Sequence, residues 1–440
     1  MSHEVLGLVL LGLMFVVILG GFPISFTLIM LGMVFGYIGI GDRVFYLMTY
    51  MVFDTMTDTV LAAVALFTFM GYILESAGLM NRLFHAVQLA CGRMHGSLYL
   101  ATIFTATLFA AATGIVGAAV TIIALMAAPV MMRSGYDVKL SAGTICAGGT
   151  LGILIPPSVM LVVMGPVLSV SVARLYAGAL LPGLLLAGLY LIYVFVRLWM
   201  NPKLGPPLSA KALDVSRGHV LRELLLGLLP PTALIVATLG SIVSGWATPT
   251  EGAALGCVGA LVVTAAHGRL TWKVFRDSTF GTAQTASMVM ILLMASTFLG
   301  SVFSALGTPA FIAQSLVAMN VPPDLLILAI LVLCFVLGWP LEWVPIVVII
   351  VPIFMPMLEV LKVDMVWFSI MLAVTLQTCW LSPPVALSAY YLKGIMPSWE
   401  LFDIYKGMLP FMALQWAAVL ILYFFPQVIL ALPNQIFGAR

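Results

Sequence analysis

Two proline pairs, Pro156-Pro157 and Pro383-Pro384, interrupt segments that are otherwise apolar enough to cross a bilayer. Proline removes a backbone donor and clashes with the preceding helical turn, so each pair frees carbonyl groups from helix hydrogen bonds. Glycine, hydroxyl and amide residues stand just before the two pairs: Gly148, Gly149 and Thr150, then Thr375, Gln377, Thr378 and Ser382. Oxygen-rich, weakly charged segments of this kind suit a hard monovalent cation such as sodium.

Two further segments offer similar groups, Thr113-Gly114 to Gly117 and Gly338 to Glu342. Small residues in membrane helices also serve close helix packing, so each segment taken alone has a purely structural explanation as well. Glu342, which follows Pro340 closely, adds a carboxylate whose insertion at mid-membrane costs about 2.5–3.5 kcal/mol. Its position predicts either a cavity or ion partner at a hairpin tip, or a solvated residue at the membrane interface.

The proline pairs belong to a longer internal duplication. Between Pro129 and Gly165, five residues recur at a spacing of 227 positions, namely Pro129, Asp137, Leu154, Pro156 and Pro157, which return as Pro356, Asp364, Leu381, Pro383 and Pro384. Helix breakers and a turn acid are what an old repeat keeps when its geometry matters. Interrupted hydrophobic segments at corresponding positions of two halves indicate the binding site of a transporter.

The composition is that of a polytopic membrane protein. The chain has 440 residues, 63% hydrophobic and only 8% charged, with a mean hydropathy of +1.19. Apolar runs of about 20 residues are typical of membrane-spanning helices, and the chain has room for roughly a dozen membrane elements. The ten-residue alternation of outer-membrane strands is absent, which favours an all-α protein over a barrel.

Several other classes are disfavoured. The net charge of +2 is dispersed and predicts no binding of nucleic acid. The five cysteines are isolated in apolar runs and indicate buried packing rather than redox chemistry. The N-terminus lacks a basic region and a cleavage site, so we interpret it as a retained first helix. Scattered histidines support neither a metal site nor a proton relay, and no catalytic motif is present, so we expect no enzyme.

Residues 98–132 are too long for one upright span and contain a small-residue break. They form either two spans joined by a tight turn or a re-entrant hairpin of two half-helices, and the uncharged tip favours the hairpin. A second hairpin candidate has its tip at 338–345. The basic loop 201–219 separates the two halves and is predicted to be cytoplasmic.

Three polar residues have mainly structural interpretations. Glu251 follows Pro249-Thr250 and is expected to cap a helix start. Arg174 is expected to anchor a helix at the interface, or else to pair with an anionic substrate. Asp137 and Asp364 are interpreted as turn residues.

Four segments carry a family resemblance: GTLGILIPPS (149–158), ATPTEGAALG (247–256), LEWVPIVVIIVPIFMP (341–356) and LQTCWLSPPVALSAYYLKG (376–394). Together they resemble the signature segments of the large membrane subunit of tripartite ATP-independent periplasmic (TRAP) transporters, and the similarity covers essentially the whole chain. The last segment is similar to the branch often assigned to keto acids, mannitol or chloroaromatic compounds. The first tip, ATGIVG, departs from the frequent serine-rich form, and Ser382 stands where threonine is usual.

The resemblance implies a sodium-driven importer of small organic acids in the bacterial inner membrane. It implies two partners, a periplasmic substrate-binding protein and a small four-helix membrane subunit on a separate chain. It further implies an inverted-repeat elevator with two re-entrant helical hairpins and two broken helices. The implied substrate-binding residues are Thr113, Gly149, Gln377 and Ser382. The implied sodium ligands are Thr113, Gly114, Gly117, Gly149, Thr150, Gly338, Pro340, Glu342, Thr378 and Ser382.

The same likeness divides the chain into seven parts: N-terminal scaffold helices (1–80), an interfacial arm helix (81–96), a first transport-domain repeat (97–171), scaffold helices with the cytoplasmic loop (172–268), a second arm helix (269–286), a second transport-domain repeat (287–394) and a C-terminal scaffold helix (395–440). Two rival functions stay open. One is a stand-alone ion-coupled carrier of the divalent-anion type, although its serine-asparagine-threonine signature is absent. The other is a channel or scaffold without coupling.

Overall fold

The computed structural model describes residues 2–113, 116–207, 216–318, 322–339, 341, 343–383 and 385–438, without the side chains of residues 110–113, 217, 313, 316–318 and 356. Across these residues the chain is all helical and contains no β-strand. The predicted all-α polytopic class is therefore confirmed for the part of the chain described.

The described residues form twenty-one α-helices, of which ten lie in the first half of the chain. In order, they are α1 (His3–Leu19), α2 (Ile24–Ile40), α3 (Arg43–Thr57), α4 (Ala62–Ser76), α5 (Leu79–Cys91), α6 (Ser97–Thr113), α7 (Val116–Arg133), α8 (Val138–Thr150), α9 (Val159–Val167) and α10 (Val172–Met200).

Eleven helices follow in the second half. They are α11 (Arg217–Val243), α12 (Pro249–Ala266), α13 (Trp272–Ala305), α14 (Thr308–Ala318), α15 (Pro323–Leu337), α16 (Trp343–Pro345), α17 (Val351–Val360), α18 (Met365–Gln377), α19 (Leu387–Ile395), α20 (Leu401–Phe424) and α21 (Gln427–Phe437). Within the described residues, α7, α10, α11, α12, α13 and α20 are each long and apolar enough to cross a membrane, and α3 with α4 would form one further span, bent by 47°.

The duplication is visible in the helix boundaries. Helices α8 and α18 begin and end 227 positions apart, and each runs into one 3₁₀ turn, Leu151–Ile153 or Thr378–Trp380. Helix α16, the π turn Ile346–Ile350 and α17 form one helical run in the same register as α7. The repeat therefore extends well beyond the few identical residues.

Asp137 and Asp364 explain why α8 and α18 start at equivalent positions. Each is an N-cap residue whose carboxylate accepts hydrogen bonds from main-chain N–H groups of the first turn, at 2.8 Å from Leu140 N and 2.8 Å from Val366 N. A carboxylate here satisfies donors that the helix leaves free and favours the positive end of its dipole. The interpretation of both as turn residues is confirmed.

The two halves exchange contacts reciprocally. Helix α12 packs on α4, and its counterpart α2 packs on α13. In the same way α11 packs on α5 and α1 on α14, while α20 lies along α8 and α10 contacts α18. When a helix of one half contacts a helix of the other half, the equivalents of these two helices are also in contact. The same reciprocity is found in the self-complementary interface of a two-fold dimer.

Helix α13 crosses position 286, where the sequence was expected to end the second arm. Helix α13 runs without a break from Trp272 to Ala305. Its counterparts α3 and α4 are separated at Asp58, whose carboxylate accepts a hydrogen bond from Val60 N at 2.8 Å and so competes with the helix. Thr285, 227 positions after Asp58, continues the helix. By the same spacing, the counterpart of α5 is α14.

The apolar sequence near the C-terminus predicts one final span at 408–431, but the structure divides this region between two helices. Helix α20 begins earlier, at Leu401, and ends at Phe424. Pro426 follows directly and cannot donate a helix hydrogen bond, so the chain restarts as the separate helix α21.

Candidate functional site

Serine hydroxyls occupy two of the carbonyl groups that the proline pairs release. Ser158 Oγ donates a hydrogen bond to the carbonyl oxygen of Ile153, and Ser388 Oγ donates to that of Trp380. Ile153 and Trp380 are equivalent in the repeat, yet the serines that bond them are not. The expectation that the breaks present unpaired main-chain oxygens is therefore wrong for these two carbonyls.

The ends of the two broken helices meet at Thr150 and Gln377. Both residues are completely buried, and Gln377 Nε2 donates to Thr150 Oγ1 at 3.1 Å. They are themselves repeat equivalents, being 227 positions apart. The hydroxyl of Thr150 in turn donates to the carbonyl oxygen of Ala147 at 2.8 Å, which leaves its oxygen as the acceptor for the amide.

A second buried amide joins the same threonine. Gln415, on α20, has its Nε2 3.4 Å from Thr150 Oγ1 and 2.9 Å from the hydroxyl of Tyr190 on α10. Neither Gln415 nor Tyr190 was singled out from the sequence. A lone amide in the apolar segment 401–424 is a signal that could have found the first of them.

The oxygens of both amides are buried without a hydrogen-bond partner among the described residues. These atoms are Gln377 Oε1 and Gln415 Oε1. A buried amide oxygen in this state is unfavourable and calls for a partner such as a water or an ion. The arrangement can therefore offer neutral oxygen ligands at the junction of the repeats.

The other predicted hydroxyl ligands lie next to this junction and bond the main chain. Thr378 Oγ1 donates to the carbonyl oxygen of Thr375, and Ser382 Oγ donates to that of Thr378 at 2.7 Å. Ser382 Oγ also lies 3.1 Å from the sulfur of Met412. Their hydroxyl protons are engaged, so each side chain keeps its oxygen lone pairs as the remaining ligand function.

The predicted glycines sit at close helix contacts. A Cβ at Gly149 would collide with Val120 of α7, and one at Gly338 would collide with Cys379. A Cβ at Gly117 would lie 3.0 Å from the ring of Tyr391. Close packing accounts for glycine at these positions whether or not their carbonyl groups bind a ligand.

Both predicted tips include residues outside the described part of the chain. Gly114, Pro340 and Glu342 lie outside the described residues, as does the side chain of Thr113. Around the first tip, α6 and α7 form a helical hairpin, because Tyr136, just after α7, accepts a hydrogen bond at 3.3 Å from Leu98 N in the first turn of α6.

A cavity of about 400 Å³ lies beside this junction. Both halves of the duplication line it at equivalent positions: Val116 with Trp343, Gly117 with Val344, and Ile153 with Trp380. A smaller cavity of about 60 Å³ adjoins Gly338 and Cys379 and shares Trp343 and Trp380 with the larger one. The larger cavity therefore lies where the pseudo-two-fold relation brings the repeats together.

Three helices begin at the wall of the larger cavity. Val116, Val159 and Trp343 are the first residues of α7, α9 and α16, and all three line it. The start of a helix carries free N–H groups and partial positive charge. Converging helix starts can hold an anion without a basic side chain.

Helices α4 and α13 also line this cavity. From α4 come Thr68, Tyr72 and Glu75, and the hydroxyl of Tyr72 lies 3.2 Å from Thr285 Oγ1 on α13. The Thr68 hydroxyl oxygen is buried and has no hydrogen-bond partner in the described part of the chain. This polar stripe was not identified from the sequence.

Two of the structural interpretations made from the sequence can be followed directly. Glu251 and Thr248 form a capping box at the start of α12, which confirms the expected cap. Arg174 donates to the carbonyl oxygens of Phe437 and Gly438, at 3.0 and 3.3 Å, and does not line either cavity. No group of three or more His, Cys, Asp or Glu side chains suited to a metal ion occurs in the described regions.

Two repeats of interrupted membrane helices around a shared cavity define a membrane transporter. The family model "Tripartite ATP-independent periplasmic transporter, DctM component" matches residues 11–428, so the chain belongs to this family. The family resemblance found in the sequence is thereby confirmed. The chain is accordingly a multi-pass protein of the bacterial inner membrane.

Relatives in other bacteria show the same membership. The isethionate TRAP transporter permease protein DctMQ of Oleidesulfovibrio alaskensis is 30% identical over 378 residues, which are 86% of this chain and 58% of that longer protein. The C4-dicarboxylate TRAP transporter large permease protein DctM of Pseudomonas aeruginosa is 30% identical and covers 87% of this chain and 88% of its own. The sialic acid TRAP transporter large permease protein SiaM of Vibrio cholerae is 27% identical, with 97% of each chain covered.

A solved structure shares the fold. The YdaH transporter of Alcanivorax borkumensis superimposes with a TM-score of 0.65 over 91% of this chain and 90% of its own, at 18% sequence identity. At that identity the likeness establishes the architecture alone.

Proposed function

We propose that this chain is the large membrane subunit of a three-part, sodium-coupled importer of a small organic acid. A periplasmic binding protein would deliver the acid, and a small four-helix membrane subunit on another chain would support the large one. The observation that carries the proposal is the meeting of Thr150 and Gln377, the equivalent ends of two broken helices, beside a cavity that both repeats line.

The junction fits sodium by its donor set. The partnerless amide oxygens of Gln377 and Gln415 are neutral and buried, and the Nε2 group of each amide is held by Thr150 Oγ1. Hard cations prefer oxygen ligands, and neutral ones suit a single charge. Bound sodium would supply a positive charge close to the carboxylate of the cargo.

We add Gln415 to the cation site that the family resemblance implies and assign Gln377 to it. The other members remain as proposed: Thr113, Gly114, Gly117, Gly149, Thr150, Gly338, Pro340, Glu342, Thr378 and Ser382. The glycines have no side-chain ligand and would contribute main-chain carbonyl oxygens. A Cβ at Gly149 or Gly338 would collide with a neighbouring residue.

The carboxylate of the cargo would bind at the converging starts of α7, α9 and α16. Free N–H groups there can donate to its oxygens, and the helix dipoles favour its charge. Thr113, Gly149, Gln377 and Ser382 remain the proposed substrate-binding residues around this point.

Transport would proceed by an elevator movement of inverted repeats with re-entrant hairpins. The packing supports one change to the partition expected from the sequence. Because α20 lies along α8 and α10 contacts α18, we place α10 and α20 in the moving domain. We likewise place the two connecting arms at α5 and α14, which occupy equivalent positions.

Thr150→Val and Gln415→Leu test the cation site. Gln415→Leu removes an oxygen ligand, and Thr150→Val removes the acceptor that holds both amides, so for each variant we expect the sodium concentration that gives half-maximal stabilisation of the purified protein to rise about tenfold. The measurement is the unfolding midpoint in detergent, titrated with sodium at constant ionic strength with potassium.

Gln284→Leu is the matched control, because Gln284 is an exposed amide on α13. We expect it to leave the sodium response unchanged. If Thr150→Val and Gln415→Leu fold and respond to sodium as the unaltered protein does, the cation does not bind at this junction.

The two rival functions predict different requirements for transport. A stand-alone carrier would take up its cargo at full rate without the binding protein, and a channel would conduct without regard to the sodium gradient. No observation on this structure favours either over the three-part importer.

A further inference from the structure

We propose that the cargo has one carboxylate, an apolar or aromatic body and a hydrogen-bond donor on that body, and that Glu75 recognises that donor. This inference rests on the proposed transport function and names the substrate class of the same cavity.

A single carboxylate follows from the charges around the cavity. No Lys, Arg or His is among the described lining residues. The two transport-domain repeats, 97–171 and 287–394, contain four such residues, Arg133, Lys139, Lys362 and Lys393, and none of them lines the cavity. One carboxylate can be held by helix starts and a cation, whereas a second, desolvated one would have no cationic side chain to pair with.

An apolar body follows from the composition of the cavity lining. Most of the lining residues are aliphatic or aromatic, Ile153, Leu292, Trp343 and Trp380 among them. Ligand cavities bind mainly through such apolar walls, while a few polar groups fix orientation. A polyhydroxylated acid would lose its hydration against these side chains with few partners in return.

The hydrogen-bond donor follows from the wall that α4 provides. Thr68, Tyr72 and Glu75 lie at positions i, i+4 and i+7, so they share one helix face, and all three line the cavity. Among the residues described, no cationic side chain forms an ion pair with Glu75. The hydroxyl oxygen of Thr68 is buried without a partner in the same set.

The position of Glu75 gives it two effects on selection. An unpaired carboxylate accepts a hydrogen bond from a hydroxyl or ammonium group on the cargo. It also repels a second carboxylate of the cargo that is placed next to it. The stripe therefore selects for a donor and against a dianion, which separates this cavity from one built for C4-dicarboxylates.

Three para-substituted probes isolate these effects on the purified full-length chain. They are 4-hydroxyphenylacetate, phenylacetate and 4-carboxyphenylacetate, with succinate as a fourth ligand, and binding is measured by isothermal titration calorimetry in sodium and in potassium. We expect 4-hydroxyphenylacetate to bind about tenfold more tightly than phenylacetate, and 4-carboxyphenylacetate and succinate to bind more weakly still.

Two substitutions at Glu75 assign the effects. Glu75→Gln keeps an acceptor and removes the charge, so it should retain the preference for the hydroxyl and raise the affinity for 4-carboxyphenylacetate. Glu75→Leu should abolish the roughly tenfold preference for the hydroxyl. Glu359→Gln, at an exposed position outside the cavity, should change neither.

The outcomes separate this inference from the transport function. Sodium-dependent binding in which succinate or 4-carboxyphenylacetate is the tightest ligand would overturn the inference and leave sodium-coupled import standing. An unchanged order of affinities in Glu75→Leu would overturn the role of Glu75. If no organic acid binds better in sodium than in potassium, the proposed function itself fails.

Discussion

Thr150 accepts hydrogen bonds from two side-chain amides that are distant from it in the sequence. The sequence pointed to one of these amides and not to the other. Gln377 stands just before the second proline pair, so the duplication points to it. The position equivalent to Gln415 is Gly188, so the duplication gives no signal there. Only the packing of α20 along α8 brings the second amide to the site.

Gly149 shows how residue types alone mislead about a role. A glycine before a proline break is compatible with a carbonyl ligand, but the structure also places its Cα against Val120. We expect Gly149→Ala to lower the free energy of unfolding by about 1–3 kcal/mol, because the added methyl group overpacks the crossing of α7 and α8.

Gly188→Ala is the comparison, since a Cβ at Gly188 on α10 would meet nothing within 4 Å. That variant should unfold at the same or a higher temperature in detergent, because alanine favours the helix. If Gly149→Ala were as stable as Gly188→Ala, the tight crossing of α7 and α8 would be disproved.

At the scale of the elements, the two helix breaks use different residues to provide hydrogen bonds to equivalent carbonyl groups. The equivalent carbonyls of Ile153 and Trp380 are both satisfied by serine, but by Ser158 in one repeat and Ser388 in the other. The prolines that cause the break were visible in the sequence. The serines were not, because their positions do not match in the repeat.

Loss of either serine hydroxyl should weaken its broken helix. Ser158→Ala and Ser388→Ala each leave a buried carbonyl oxygen without its donor, and we expect each to cost about 1–3 kcal/mol of unfolding free energy. The control is Ser315→Ala, which removes a hydrogen bond to the carbonyl oxygen of Phe311 at an exposed site. Equal unfolding midpoints for all three variants would contradict the role assigned to the two buried serines.

The arms mark where sequence patterns stop being informative about elements. Residues 269–277 have the mixture of charged and apolar residues typical of an interfacial helix, yet from Trp272 onward they belong to the continuous helix α13. The difference depends on one residue: Asp58 interrupts the first copy, and Thr285 lets the second copy continue. Helix α14, the true counterpart of α5, has none of the charged residues that drew attention to the first arm.

At the scale of the whole molecule, the reciprocal exchange of helices between the halves is the main result of the duplication. It places the starts of α7 and α16, which are equivalent, at one cavity, together with the start of α9. Composition and the repeated breakers were sufficient to predict the class of protein. They could not predict the cavity, because its polar residues on α4 and α13 do not recur at the spacing of 227 positions.

Uptake into proteoliposomes tests the central claim most directly. The full chain is reconstituted with its small membrane subunit, the binding protein is loaded with radiolabelled organic acid, and initial rates are compared with an inward sodium gradient and with potassium in its place. We expect uptake against a concentration gradient in sodium only, and its loss when an ionophore dissipates the sodium gradient. Accumulation at the same rate in potassium would contradict sodium coupling.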